Sequence, residues 1–338
     1  MAASGVDVMS YRKFDARNWA TRHMNEMGLL VVILLLYLVF SNTAPGFLSI
    51  YNQQNILRDA ASLGICAFGA TLIIIAGEID VSVGPMVAFL SVALSFLLKW
   101  DVSVFLAIPA AMVLGILLGA VAGVLRAQFS VPSFVATLGL WSALRGLALF
   151  FTDALPVSFH SSPFLDFLDT RLVGLPVAAW VMLVLFAVFG FVARKTSYGR
   201  SVYAIGGNAN AAQLAGIPVK RVRVILFATA GFLASISGIL LTSRLGSGNA
   251  GAATGLEFDV IAAVVVGGTA LSGGRGTMIG TILGVLTITL IGNGLVLLGI
   301  NPFFQQVVRG VIIVVAVLLN IAASQRSAAT NARGSSHG

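Results

Sequence analysis

Charge is scarce in this chain of 338 residues: Asp, Glu, Lys and Arg together make up 9% of it, where an average soluble protein carries about 25%. The 20 basic and 12 acidic side chains are too few to cover a globule of this length, and hydrophobic residues reach 58%. A bilayer removes the need for that cover, so the shortage excludes a soluble enzyme and a disordered chain. One cysteine, Cys66, excludes an intrachain disulfide scaffold; it lies within an apolar run and reads as packing. The three histidines, His23, His160 and His337, fall in expected loops or tails. Neither a base beside a membrane serine nor a clustered metal site is then available. No GKS or GKT string occurs, which removes the phosphate-binding P-loop and with it ATP hydrolysis by this chain alone. The alternating segments of a membrane β-barrel are missing too, because the apolar runs are continuous.

What is present is a series of charge-free stretches, among them 27–57, 60–77, 102–125, 127–144, 172–193, 224–243 and 276–308. A helical span needs about 20 mainly apolar residues. The runs predict an all-α membrane protein of about ten transmembrane helices, at 28–47, 56–76, 82–98, 104–125, 132–152, 175–193, 222–243, 258–273, 277–298 and 303–322. The resulting organisation is a cytoplasmic segment 1–27, a permease domain 28–322 with a long cytoplasmic loop 194–223, and a flexible tail 323–338. The first apolar run follows a polar, charged segment, so no signal peptide is expected; residues 11–25 suit a surface helix anchored by Trp19.

The basic residues set the orientation. With the N-terminus inside, 14 Lys and Arg fall in cytoplasmic segments, among them Arg126, Arg194, Lys195, Arg200, Lys220, Arg221, Arg223 and Arg275. Four, Arg58, Lys99, Arg171 and Arg244, fall outside. An even number of spans leaves both termini cytoplasmic. This placement also accounts for the pI near 10.3 without a nucleic-acid partner.

Two weak self-matches suggest internal duplication. Gly77-Glu-Ile-Asp-Val81 is echoed by Leu256-Glu-Phe-Asp-Val260, and Val131-Pro-Ser-Phe134 by Asn301-Pro-Phe-Phe304. They stand at equivalent places on opposite sides of the membrane, so spans 2–5 and 7–10 are read as two inverted half-repeats, a common transporter plan. Chance similarity in low-complexity apolar sequence is the alternative.

The charges near or within spans are the next candidates. Glu78 and Asp80, with Glu257 and Asp259 in the second half, either brace or line a hydrophilic path or cap helix N-termini. Placement just before a helix start favours capping or bracing. Proton coupling would want acids in mid-helix with a partner. Arg145 and Arg309 fall inside spans; Arg145 keeps its proton and must pair with a carboxylate or with helix C-terminal carbonyls. Gly115, Gly119 and Gly123, and Gly280 and Gly284, recur at the four-residue spacing of close helix packing. The string Gly246-Ser-Gly248-Asn-Ala-Gly251 matches a dinucleotide fingerprint but follows a membrane helix instead of a strand, so it lacks the required context. Gly267, Gly268, Gly273, Gly274, Arg275 and Gly276 carry too much glycine for a stable helix and predict a broken or tightly turned connection at the cytoplasmic face.

The loop from Arg194 to Arg223 contains a short helical stretch, 209–215, that Asn208 or Asn210 can cap and that Gly216 and Pro218 end. An ordinary positive-inside loop explains the charges around it but not a capped helix of small residues. A docking element for a soluble partner explains both.

With these strings in view, the chain resembles a permease subunit of the ribose-type family of ABC importers. The carrying segments are Ala76–Gly84, Pro132–Gly139 with Arg145-Gly146, Ser197–Asn208, Ala211–Ile217 and Gly255–Asp259 through Gly276. The resemblance implies a bacterial inner-membrane protein, not an enzyme, that pairs with a second permease copy, identical or different. It implies ABC ATPase subunits that hold ATP and Mg, with no cofactor on this chain, and a periplasmic binding protein that delivers a monosaccharide. It also implies that Asn208, Asn210, Ala211, Ala212, Leu214, Ala215, Gly216 and Ile217 form the coupling helix that docks into the ATPase. A branched-chain amino-acid ABC permease shares the general architecture and is the nearest rival. A carrier driven by an ion gradient is the rival from another class; solute uptake by this chain alone, in proteoliposomes under a sodium or proton gradient, would support it.

Overall fold

The computed structural model describes residues 24–160, 162–315, 317 and 318. The expected surface helix with Trp19 lies almost entirely outside them, and Arg12, Lys13, Arg17, Arg22, His23, His337 and the tail 323–338 lie wholly outside.

The described chain is nearly all helix. In order it forms α1 (Met24–Thr43), α2 (Ile50–Ile75), α3 (Val83–Lys99), α4 (Val104–Gln128), α5 (Ser133–Thr152), β1 (Val157–Ser158), α6 (Pro163–Asp169), β2 (Arg171–Leu172), β3 (Leu175–Pro176) and α7 (Val177–Lys195). Then follow α8 (Ser197–Gly207), α9 (Ala209–Leu214), α10 (Val219–Leu245), β4 (Ser247–Gly248), α11 (Leu256–Val266), α12 (Met278–Leu297) and α13 (Pro302–Val315). The strands pair as two small antiparallel ladders, β1 with β4 and β2 with β3, at the end of the bundle opposite α8 and α9. Seven helices, α1, α2, α4, α5, α7, α10 and α12, are long and apolar enough to cross a membrane; α3 and α13 are shorter apolar helices.

The polarity of the surface agrees with that composition. Leu34 and Phe150 are 68% and 74% exposed, and similar apolar side chains face outward from α1, α4, α5 and α7. The buried centre belongs to α2 and α10. Hydroxyls join the helices where hydrocarbon offers no water: Ser62 with Ser237 at 2.9 Å, Thr71 with Thr281 at 2.6 Å, and Thr242 with Ser91 at 2.7 Å.

Glycine sets the closest approaches. On α4, a Cβ at Gly115 or Gly119 would strike the backbone of Gly231 or Phe227 on α10, and one at Gly123 would meet Val224. Gly231 faces Gly115 in return. The four-residue register of α4 is therefore a backbone-to-backbone seam against α10. Gly280 and Gly284 on α12 do the same against Gly267 and Ala263.

Several boundaries differ from the sequence expectation. Helix α1 is already helical at Met24 and ends at Thr43, and α2 begins at Ile50, because Ser49 caps it by accepting from Asn52 N at 3.3 Å. Helix α11 stops at Val266 and not at 273, since the chain must turn through positive φ at Gly268 (87°). Glu257 and Asp259 consequently lie inside the first turn of α11, not before it. An additional helix, α8, occupies a stretch read as loop, its N-terminus closed by Thr196 Oγ1 accepting from Gly199 N at 3.1 Å.

The α4–α10 seam generates a direct test. Gly119→Leu forces a side chain into the Phe227 carbonyl, an overpacking cost of about 1–3 kcal/mol or more, while Gly139→Leu meets open space. Thermal unfolding of the detergent-purified chain should show a lowered midpoint for the first variant and an unchanged one for the second. Equal midpoints would contradict the seam.

Candidate functional site: two helix breaks and a glycine junction

Beyond Ile75 the chain leaves the helix at Ala76 and Gly77 (φ 77°) and runs without regular structure to Ser82 before α3 starts. Its amides are taken by side chains of α5: Ile79 N donates to Ser133 Oγ at 3.1 Å and Val81 N to Thr137 Oγ1 at 3.2 Å. Asp80 Oδ1 accepts from Ser82 N at 2.8 Å and Ser82 Oγ at 2.7 Å, so this acid braces the entry to α3.

Glu78 does something else. It is 3% exposed, and both its oxygens accept from Arg126 Nε at 2.8 Å. Arg223 Nε approaches Oε1 at 2.7 Å. Arg126 lies in the last turn of α4 and Arg223 near the start of α10, so one carboxylate ties both helices, at the Gly123 end of the glycine seam, to the break after α2. Of the two structural readings, capping and bracing, Glu78 takes the bracing one, because two guanidiniums reach the acid. From sequence, Arg126 and Arg223 read only as cytoplasmic charges that set the orientation. The signal available was that each ends a charge-free run beside a packing helix.

The second break, 246–255, leads into α11. Glu257 is 2% exposed; its Oε1 accepts from Trp141 Nε1 at 2.9 Å. Its Oε2 lies against Gly84, where a Cβ would collide with it and stand 2.9 Å from the Ala253 carbonyl. Gly84 opens α3 and Glu257 opens α11. Two helix N-termini thus abut within the bundle around a carboxylate, which is the charge that such ends favour. Arg145 reaches the same region from α5 and donates to the carbonyls of Ala250 and Ala252. Its hydrogen bonds go to carbonyls of a connecting loop, with the Glu257 carboxylate as a charge partner further off. Arg309 on α13 pairs with Asp259 at 3.4 Å.

The third feature lies at the α8–α9 end. Asn208 caps α9, accepting from Ala211 N at 3.0 Å, whereas Asn210 is exposed within the helix and makes no cap. Ala212 is buried and Ile217 packs against the core, while Ala211, Ala215 and Gly216 are exposed and Leu214 is 90% exposed. Gly216 turns the chain at φ 85°. Helix α8 carries the segment onto the glycine-rich connection: Tyr203 Oη donates to the Gly276 carbonyl at 2.8 Å, and Gly206 faces the Ile75 carbonyl and Gly274 so closely that no Cβ fits. Gly274 N donates to that same Ile75 carbonyl at 2.8 Å, and Gly273 (φ 85°) packs on Gly77 and Gly206. Gly267 is buried against α12, and Arg275 is exposed, its carbonyl accepting from Ala270 N at 2.9 Å. Three chain segments therefore meet backbone to backbone: the end of α2, the end of α8 and the 267–276 turn.

A bundle of lipid-facing helices, with interrupted helices and ion pairs at its centre, is the build of a multi-pass membrane permease. The family described as "Branched-chain amino acid transport system / permease component" matches residues 52–317, and the chain belongs to this family. Among its relatives, a "Probable ABC transporter permease protein YphD" of Escherichia coli is 64% identical over 97% of this chain and 98% of its own length. A "Ribose import permease protein RbsC" of Bacillus subtilis is 40% identical over 88% and 93%. An "L-arabinose ABC transporter permease protein AraH" of Azospirillum brasilense is 35% identical over 90% of each chain. No solved structure matches the chain. The protein is a multi-pass inner-membrane ABC permease and a transport subunit, not an enzyme.

The Glu78 clasp makes a prediction of its own. Glu78→Gln leaves two partly buried cations facing each other; breaking a fully buried pair costs about 3–5 kcal/mol, and the partial exposure of both guanidiniums sets that as an upper bound. The variant should unfold at a lower temperature, and adding Arg126→Met should restore part of the loss. Identical midpoints for all three proteins would refute the clasp.

Proposed function

We propose that this chain is the membrane-spanning subunit of an ATP-driven importer that moves a monosaccharide, ribose-like or related, from a periplasmic binding protein into the cytoplasm. The single observation that carries the reading is the likeness to permeases named for ribose and arabinose across nearly their whole length. The family description names branched-chain amino acids; the sugar names of these relatives favour a monosaccharide over that alternative.

The finer topology belongs to the same proposal. Ten spans place both ends of the chain in the cytoplasm, with α2–α5 and α10–α13 as inverted halves. The two abutting N-termini, α3 following one break and α11 the other, support the inversion, because halves of opposite direction bring equivalent helix starts together in the membrane. A second permease copy, identical or not, completes the path. ATP and Mg reside on partner ATPase subunits.

Coupling follows from the junction. The exposed side of α9, with Leu214 at its end, docks on the ATPase. When ATP binding closes the ATPase pair, α9 moves with it and α8 moves with α9. Helix α8 cannot slide freely, because Gly206 is seated on the Ile75 carbonyl and Tyr203 holds Gly276. The displacement therefore reaches the end of α2 and the 267–276 turn. From there the Glu78 clasp passes it to α4 and α10, while the turn passes it to α11 and α12. Alternating access results from rocking these units around the two breaks.

The assembled complex in nanodiscs tests this. Leu214→Asp, and Gly216→Val at a positive φ that β-branched residues avoid, should each abolish import and solute-stimulated ATP hydrolysis while membrane insertion is retained. Normal coupled import in both would sink the coupling assignment. Uptake of L-leucine in place of D-ribose, L-arabinose or other aldoses would overturn the solute class.

A further inference from the structure

A cavity of about 700 Å³ lies within the single chain, between α2, α10, α11, α12 and α13. It runs from a mouth at Gly46 and Ser49 to a floor at Leu63, Ala262 and Ile288. The size falls within the range of about 300–1,000 Å³ typical of small-molecule sites. It is separate from the first helix break and from the α8–α9 junction, and it adjoins the second break through Ala253, with Asp259 and Arg309 in its wall.

The lining chemistry is specific. Asp59 and Arg244 face each other at 2.6 Å, and Asp259 and Arg309 at 3.4 Å, so two anions and two cations cancel. Asn52 and Asn293 exchange hydrogen bonds at 3.0 and 2.8 Å. Thr289, buried in the wall, has a hydroxyl oxygen with no hydrogen-bond partner among the described residues. The floor supplies the apolar surfaces of Leu63, Leu241 and Ile288.

We propose that this intrachain cavity, lined by two neutralised ion pairs, facing amides and an apolar floor, is a subsite for a neutral polyhydroxylated solute on its way through the permease. The inference rests on the monosaccharide-import reading and adds a location to it. Neutrality argues against an inorganic ion. A zwitterion such as an amino acid needs a free cation and a free anion, and here both pairs are already satisfied, so it would have to break them. Hydroxyl groups need no such break. Carboxylate lone pairs, guanidinium N–H groups and the amides retain capacity for neutral donors and acceptors, and the C–H face of a sugar ring rests on the leucines and isoleucine. In the proposed topology the mouth opens toward the binding protein, and the floor lies beyond the first turn of α11, at Ala262.

Cysteine accessibility provides the test in the full chain. Cys66 is buried and forms a silent background. Asn55 and Ser62 line the cavity, whereas the exposed Thr254 does not. Asn55→Cys, Ser62→Cys and Thr254→Cys are labelled in nanodiscs with a charged, membrane-impermeant thiosulfonate, with and without D-ribose, L-arabinose, D-glucose or L-leucine. An aldose that occupies the site at twice its Kd should slow labelling about threefold at Asn55→Cys or Ser62→Cys and leave Thr254→Cys unchanged, with no protection by L-leucine. The same aldoses are offered to the unmodified assembly for import. Import of an aldose with no protection at either cavity position overturns the subsite and leaves the transport reading intact. Protection by L-leucine alone, or no labelling at either cavity position, also overturns it. An assembly that imports none of the aldoses removes the transport reading on which the subsite rests.

Discussion

A backbone that leaves its helix inside hydrocarbon must find hydrogen-bond partners from protein, because lipid offers none. That constraint organises the centre of this permease. The chain breaks helix twice, at 76–82 and at 246–255, and each break is answered by side chains of α5. Ser133 and Thr137 accept the amides of the first break, while Arg145 donates to the carbonyls of the second. Helix α5 thereby serves both interruptions, with a hydroxyl at its start and a guanidinium further along. The acids have distinct duties around it: Asp80 braces the start of α3, Glu78 gathers two arginines, and Glu257 sits between two helix N-termini. These carboxylates therefore differ in their partners and in what they hold.

Glycine supplies the complementary condition. Where α4 meets α10 and where α11 meets α12, the absence of Cβ atoms lets backbones touch, which in a membrane is a main source of helix association. At the junction of α2, α8 and the 267–276 turn the same absence has a mechanical consequence. Gly206, Gly273 and Gly274 leave no layer of flexible side chains between the α8–α9 segment and the membrane helices. A displacement of α8 then meets backbone at once, and close-packed interiors pass on strain instead of absorbing it. The Glu78 clasp stands one step further on, at Arg126 and Arg223.

Much of this was legible in the sequence. Apolar runs located the helices, because lipid imposes a length that charge-free stretches reveal. The turn at 267–276 followed from glycine content, and the cap at Asn208 from its side-chain oxygen ahead of a run of small helix formers. Three kinds of feature were not legible. Helix α8 carries Gly, Ser and Tyr, which local propensity does not favour in a helix; its formation depends on packing of Val202 and Ile205 into the core. The pairing of Glu78 with Arg126 and Arg223 joins positions far apart in the chain, where only the fold supplies proximity. The cavity draws on five helices, its amides Asn52, Asn293 and Gln305 each unremarkable when read singly.

The central claim is that motion of the soluble-facing segment enters the membrane core through backbone contact at Gly206. One methyl group tests it. Gly206→Ala places a Cβ on the Ile75 carbonyl and leaves α9, with its exposed Leu214, unaltered. In the reconstituted assembly, with ATPase and binding protein both retained on purification, solute import and ATP hydrolysis are measured together. The account predicts that import falls to background while the ATPase still binds and turns over ATP. An unchanged amount of solute imported per ATP hydrolysed would contradict it.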